Sequence, residues 1–302
     1  MSPAASAVPR VAVVIPCFND GGFLLEALES VREQEPCEVV VVDDGSTDPR
    51  TLDVLAHVRE AGVRVVTQPN QGLSAARMAG VAHTGARYVH PLDSDDRLAP
   101  GALRRLADAL DAQPDVDVAW GDYECFGAFT CRTPGARSLD PWRITYIDEI
   151  VGTTLVRRHA LVAVGGWDMG SGCEDWDLWM KLAEAGAKGV YVPAVTLHYR
   201  QHHTPRMYRE SLGRVDAIRA RLRGRRHRLF AQRRLNWRHS PSSWGVKALF
   251  PVVGLVPGLP ERRRQQCYAL IRDIFEPEMS SDVFWGPRAR LRRRRRAAAP
   301  SP

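Results

Sequence analysis

The chain has 302 residues, 44% of them hydrophobic and 25% charged, a composition that suits a folded chain with a full core and excludes a collagen-like or wholly disordered one. No run approaches the roughly 18–20 uncharged apolar residues of a membrane span, and the N-terminal lead lacks a basic-then-apolar signal pattern, so the expected location is the cytoplasm. The net charge of +7 hides an asymmetry: residues 1–199 carry 17 basic and 28 acidic side chains, whereas residues 200–302 carry 25 and 7.

Basic blocks at 219–238 and 288–296 supply most of that excess. Such blocks suit nucleic acid, an anionic membrane or an acidic partner, and equally a solvated helix face followed by a disordered tail. The six cysteines (Cys17, Cys37, Cys125, Cys131, Cys173, Cys267) show no CxxC or zinc-type spacing and read as buried free thiols. No internal repeat is visible.

In chain order, β-branched runs predict strands at 11–15, 39–42, 63–67 and 87–92, with amphipathic helices at 23–34, 49–61, 73–83 and 100–112 between them. This βαβαβαβα order implies an α/β fold with a mainly parallel sheet flanked by helices. The uninterrupted Val39-Val40-Val41-Val42 fits a central strand buried on both faces. A strand pair follows at 116–129, then a strand at 153–156, a Gly165-Gly166-Trp167-Asp168 turn and a helix from Glu174. Two more strands are expected at 189–192 and 195–200. Beyond 204 the chain reads as arginine-rich helix, then as an apolar stretch at 244–260 broken by Gly and Pro. That stretch is too interrupted to span a bilayer, and either lies at an interface or packs back on the main domain.

Ligands in open α/β sheets bind beyond the carboxyl ends of the strands. Asp43-Asp44-Gly45-Ser46 follows the second strand and Asp93-Ser94-Asp95-Asp96 the fourth, so acids fifty residues apart converge on one crevice. Three carboxylates within four residues repel one another, and a hard divalent cation with oxygen ligands relieves that repulsion. Such ions commonly complete their shells with phosphate and water. Turn and helix-cap chemistry is the plainer account of each acidic cluster alone.

Five segments now stand in order: Val13-Val14-Ile15-Pro16-Cys17-Phe18-Asn19, Val41-Val42-Asp43-Asp44-Gly45-Ser46-Thr47-Asp48, Asn70-Gln71-Gly72-Leu73-Ser74-Ala75-Ala76-Arg77, Asp93-Ser94-Asp95-Asp96 and Glu174-Asp175-Trp176-Asp177. Together, over about residues 10–200, they resemble glycosyltransferase family 2. The resemblance implies a GT-A fold at 10–203, with a nucleotide-sugar half at 10–127 and an acceptor half at 128–203. A disordered lead at 1–9, a helical basic extension at 204–287 and a basic tail at 288–302 complete the expected organisation. It also implies Mg²⁺ or Mn²⁺, a nucleotide-sugar donor and inversion at the anomeric carbon. The acceptor is expected to be a glycan, a lipid-linked carrier or a small molecule.

By this resemblance Pro16 and Phe18 lie beneath the nucleobase, and Asp44 or Asp43 accepts a hydrogen bond from base or ribose. A carboxylate can accept from the imide N–H of uracil or thymine, which favours a uridine or thymidine donor over adenine. Arg77 resembles the arginine that reaches the nucleotide site, although Met78 stands where asparagine is common. Asp93 and Asp95 form the DxD, with Asp95 on ribose or metal and Asp96 as an alternative metal ligand. Asp175 resembles the general base, Glu174 contacts the acceptor or orients the loop, and Asp177 is structural. Arg200 is expected to neutralise the diphosphate, and one of His198, His202 and His203 is available to the metal. Trp167 and Trp176 are either an acceptor platform or core.

Two other functions compete with this reading. A nucleotidyltransferase needs a Gly-rich phosphate loop after the first strand, of which 16–22 is a poor version. A non-catalytic scaffold that binds membranes or polyanions would need only the basic C-terminal region; peripheral contact with the inner membrane face through it is also compatible with the enzyme, and no specific nucleic acid is expected.

Overall fold

The computed structural model describes residues 9–32, 34–170, 172–202 and 215–280. The lead at 1–8, His203 and the basic tail at 288–302 lie outside them.

Four parallel strands form one half of the sheet: β1 (Val11–Cys17), β2 (Glu38–Asp43), β3 (Arg64–Thr67) and β4 (Tyr88–Pro91), in spatial order β3-β2-β1-β4. Alternate residues of β1 enter opposite cores. Val11, Val13 and Ile15 pack with Leu24, Leu28 and Leu103, while Val14 packs with Ala76, Val81 and Trp167. Helices α1 (Gly21–Arg32), α2 (Pro49–Glu60), α3 (Leu73–Ala82) and α4 (Ala102–Asp111) connect and cover these strands. Helix α2 starts as its sequence dictates: Pro49 opens it, and the Asp48 carboxylate accepts from the Thr51 N–H at 3.0 Å. Helix α3 approaches β1 closely because position 80 is glycine; a Cβ there would sit 2.2 Å from Val14 Cγ1. That approach seats Arg77, one turn earlier, over the strand ends.

The other half of the sheet is mixed rather than mainly parallel. After the short β5 (Arg97–Leu98) come β6 (Val118–Gly127), β7 (Cys131–Thr133), β8 (Leu155–Arg157) and β9 (Gly189–Gln201). The full order is β3-β2-β1-β4-β8-β6-β9-β5, with β7 on β6. β8 runs antiparallel to β4 and β6, and β9 parallel to β6. The two strands expected at 189–200 are one strand. Its register on β6 shifts around Asp122, opposite Pro193, which has no N–H to give a regular ladder. The cysteine expectation also changes: Cys125 and Cys131 face each other across the β6/β7 hairpin and form a disulfide, while Cys17, Cys37, Cys173 and Cys267 are free.

Helices α5 (Arg158–Ala163) and α6 (Glu174–Glu184) follow β8. The basic region supplies α7 (Val215–Arg225), α8 (His227–Ala231), α9 (Arg233–His239), α10 (Trp244–Leu255) and α11 (Glu261–Phe275). The charge asymmetry is partly resolved inside the molecule. Asp177 of α6 is buried and bonded to Arg226 at 2.7 Å and Arg225 at 3.2 Å. Arg219 lies over the Trp176 ring and pairs with Glu261 at 2.9 Å, and Glu149 receives Arg143 and Arg272. A third core of Trp142, Tyr146, Ile147, Val246, Phe250, Tyr268 and Ile271 fastens α10 and α11 back on the segment around residues 142–147. The apolar stretch at 244–260 therefore packs inward on one face.

Candidate active site

The spatial order β2-β1-β4 makes a switch point at β1, where connections leave in opposite directions and a crevice opens at the carboxyl ends. Three loops line it. Phe18 is 37% exposed at the rim, whereas Pro16, Asp43 and Asp44 are buried. Asn19, at a positive φ of 53°, links the first two loops: its Oδ1 accepts from the Thr47 and Asp48 N–H groups at 2.7 and 2.8 Å. Asparagine tolerates this conformation better than most residues.

Asp44 is committed to the protein. Its Oδ1 accepts from Gln68 Nε2 at 2.7 Å and the Gln71 N–H at 2.9 Å, and its Oδ2 from the Gly72 N–H at 2.8 Å. It fixes the loop that leads into α3. Asp43 accepts from the Ser46 N–H at 2.9 Å and shapes the neighbouring turn. Gly45 is required there: its φ is +76°, and a Cβ would lie 2.7 Å from Asn70 N.

Arg77 gathers the acids. Only 1% exposed, its guanidinium reaches Asp93 Oδ1 at 2.9 Å, Asp175 Oδ1 at 2.7 Å and Glu174 Oε1 at 3.4 Å. Its Cζ lies 5.4 Å from the centre of the Trp167 ring, whose N–H donates to Asp175 Oδ1 at 2.9 Å. Residues from the third helix, the fourth strand end, the Gly-Gly-Trp turn and α6 thus meet at one point. Sequence spacing placed each residue near the crevice but could not show that one cation serves three carboxylates. Burial raises the Asp175 carboxyl above its ordinary range, and the nearby Asp93 charge adds to this against the opposing effect of Arg77. Glu174 is pushed up to about 7 by burial and the Asp175 charge.

Two small residues make room for this cluster. A Cβ on Gly152 would sit 2.2 Å from Asp175 Oδ2, and one on Gly166 would sit 2.1 Å from the Met78 sulfur. The second contact explains the departure at Met78, whose thioether fills the space above the Gly165-Gly166 turn.

The acceptor-platform reading of the tryptophans is corrected. Trp167 and Trp176 are 3% and 5% exposed, and the Trp176 N–H donates to the Ile144 carbonyl at 2.8 Å beneath Arg219. Neither presents an open indole face to a sugar.

The loop after β4 is braced by β9. Asp96 is buried, with Oδ1 accepting from the Arg200 N–H at 2.7 Å and Oδ2 unpartnered; burial and the charges of Asp93 and Asp95 hold its carboxyl well above the usual range. One oxygen thus anchors the loop to β9, and the other is left beside Asp93 and Asp95. The Arg200 side chain is stacked between Phe23 and Phe126, donates to the Asp95 carbonyl at 2.7 Å and pairs with Glu26 at 2.5 Å. These contacts make it a strut in place of the expected diphosphate contact.

Asp95 Oδ2 lies 2.8 Å from His202 Nε2. Among the described residues no group of three His, Cys, Asp or Glu side chains is arranged to hold an ion. Asp95 and His202 nonetheless offer an oxygen and a nitrogen donor side by side. With phosphate oxygens and water as the remaining ligands the pair fits Mn²⁺ better than Mg²⁺, which prefers oxygen throughout.

The chain is similar to known proteins in sequence and in fold. The family "Glycosyl transferase family 2" matches residues 12–161, and "Glycosyltransferase like family 2" matches residues 129–230. The chain belongs to glycosyltransferase family 2. Among family relatives, the O-antigen biosynthesis protein RfbC of Myxococcus xanthus is 31% identical over 64% of this chain and 16% of its own length. The succinoglycan biosynthesis protein ExoO of Rhizobium meliloti is 40% identical over 38% of this chain and 34% of its own. The chain thus spans no more than about a third of either relative. The crystal structure of S. aureus TarS 1-349 in complex with UDP-GlcNAc superposes with a TM-score of 0.55 at 18% identity, covering 89% of this chain and 74% of that one. The mannosyltransferase PcManGT of Pyrobaculum calidifontis, in complex with GDP-Man and Mn²⁺, gives 0.51 at 19% identity, covering 91% and 84%. These likenesses establish the GT-A fold of the family.

Proposed function

We propose that this chain transfers a sugar, with inversion, from a nucleotide diphosphate sugar to a hydroxyl acceptor in glycan assembly, with Asp175 as the general base. The observation that carries the reading is the convergence of Asp93, Glu174 and Asp175 on buried Arg77 at the sheet's switch point. One oxygen of Asp175 is held by Arg77 and Trp167, so the carboxylate has a fixed orientation and its other oxygen is available to an acceptor hydroxyl. Fixed geometry is what general-base catalysis needs first, within about 3 Å of the proton removed. Burial raises the basicity of Asp175. Proton transfer to it frees the acceptor oxygen to attack the anomeric carbon from the face opposite the departing nucleotide, which inverts the configuration.

Asp93 and Asp95 stand at the strand end where the diphosphate would lie, and Pro16 and Phe18 at the position for a base. Asp43 and Asp44 support this pocket by shaping its loops, and Glu174 adjoins the acceptor side. Asp95 and His202 would hold a divalent ion, which would supply positive charge to offset that on the leaving diphosphate. The sugar-nucleotide ligands of TarS and PcManGT support this donor class. The RfbC and ExoO similarities support a role in polysaccharide biosynthesis.

Isothermal titration with UDP, dTDP, GDP and ADP, each with and without Mn²⁺, tests the donor site. Metal-enhanced binding of one nucleotide, lost in Asp95→Ala, is the expected result. Equal binding by Asp95→Ala would remove the metal assignment, and no binding to any of the four would remove the donor site.

A further inference from the structure

Helix α10 (Trp244–Leu255) has Lys247 as its one charged residue among twelve, the composition of a helix covered on every side. Only its inner face is covered, by the core around Phe250 and Tyr268. On the outer face Trp244, Val252 and Leu255 are 78%, 58% and 80% exposed. With Ala248 they recur at i, i+4, i+8 and i+11, a stripe within about 80° of arc at 100° per residue. Among the described residues eight of the twelve exposed large hydrophobics fall between positions 235 and 274, and the α10 stripe is the part of them that lies on one face.

The C-terminal helical region that carries this stripe has a cationic surface. Interior acids such as Asp177, Glu149 and Glu261 are consumed by buried arginines. Within the described residues 215–280, seven arginines remain exposed against two acids, Asp216 and Glu278. Arg234 and Arg238 lie on α9, which joins α10 through Trp237; the Trp237 N–H donates to the Lys247 carbonyl at 3.1 Å. An apolar stripe that starts at an exposed tryptophan and adjoins a helix with two exposed arginines has the chemistry of a helix lying in a lipid headgroup layer. No described helix is long and apolar enough to cross a membrane, and Pro251 interrupts this one.

We infer that the outer face of α10, with the exposed arginines of α9, docks the protein on an anionic phospholipid surface, the helix lying in the plane of the bilayer. An acidic protein partner would satisfy the arginines but not the contiguous apolar stripe, whereas a bilayer satisfies both. The inference is independent of the transferase reading, since vesicle binding is read without turnover.

The test is flotation of the full chain with vesicles of phosphatidylcholine alone or mixed with phosphatidylglycerol. Wild type should float with the anionic vesicles and not the neutral ones. Val252→Glu/Leu255→Glu should weaken this by about tenfold or more, since it places charge in the apolar layer. Both side chains are exposed, so its thermal unfolding should match wild type. Arg234→Glu/Arg238→Glu, which leaves the stripe intact, should weaken binding too and flatten its salt dependence. The inference is overturned if wild type does not float, if Val252→Glu/Leu255→Glu floats as wild type does, or if only removal of residues 288–302 abolishes binding. Loss of a concentration-dependent dimer in that double variant, with flotation intact, would assign the face to a second copy instead.

Discussion

Replacing Arg77 with leucine removes the one cation shared by Asp93, Glu174 and Asp175. The guanidinium is 1% exposed and lies 2.9, 3.4 and 2.7 Å from the three carboxylates. Removing one partner of a buried ion pair costs about 3–5 kcal/mol because the remaining charge is left desolvated. Glu174 and Asp175, at 11% and 22% side-chain exposure, bear most of this, and Asp93, at 35%, is partly screened by water. The loss should depend on pH in a defined direction. Glu174 already stands at about 7, above its ordinary 4.5. A carboxyl with a raised folded pKa binds its proton more tightly when folded, so its stabilising contribution is full below about 4.5 and falls as pH rises toward 7. Without Arg77 the folded pKa values rise further and the window extends upward. Urea unfolding of wild type and Arg77→Leu at pH 5 and pH 8 should show the deficit at pH 8 exceeding that at pH 5 by about 1–3 kcal/mol. Equal deficits at the two pH values, or a total below about 1 kcal/mol, would refute the shared-cation account.

Trp167→Phe keeps the ring beside Arg77 but deletes the N–H that lowers the Asp175 pKa. A hydrogen bond to a charged group contributes about 1.5–3 kcal/mol; the acid limb of the kcat profile should therefore move up by roughly one pH unit, with rate regained at higher pH and donor KM little changed. An unmoved limb would remove the positioning role. Asp177→Asn breaks the pairs that join α6 to α7; because Arg225 and Arg226 retain some access to water, the expected loss in urea unfolding is about 2–3 kcal/mol. A loss within about 0.5 kcal/mol would mean that α7 does not hold α6.

The parallel half of the sheet was legible because its strands are continuous β-branched runs separated by helical periodicity, and the crevice because acids follow the second and fourth strands. The mixed half was less so: β8 is three residues long, and Pro193 reads as a break although the shifted register on β6 lets β9 run through it. Within the site, residue types located the acids but not their pairing. Asp44 has the sequence signature of a ligand contact, yet three donors from its own chain engage it, an outcome decided by the path of the 68–72 loop. Trp167 and Trp176 could be platform or core until their N–H partners were seen. Cys125 and Cys131 lack a framework spacing, and only the hairpin register opposes them. The basic excess looked like one surface feature, but Arg143, Arg219, Arg225, Arg226 and Arg272 are spent on internal acids, while Arg234 and Arg238 stay exposed on the helix that joins α10.

The most direct test of the account is turnover by Asp175→Asn with the nucleotide sugar that titration identifies, alongside its affinity for that nucleotide. The account predicts kcat lower by about a hundredfold to ten-thousandfold, the usual contribution of a positioned general base, with nucleotide affinity unchanged. Turnover within about tenfold of wild type, which is below that range, would contradict the assignment of Asp175 as the base.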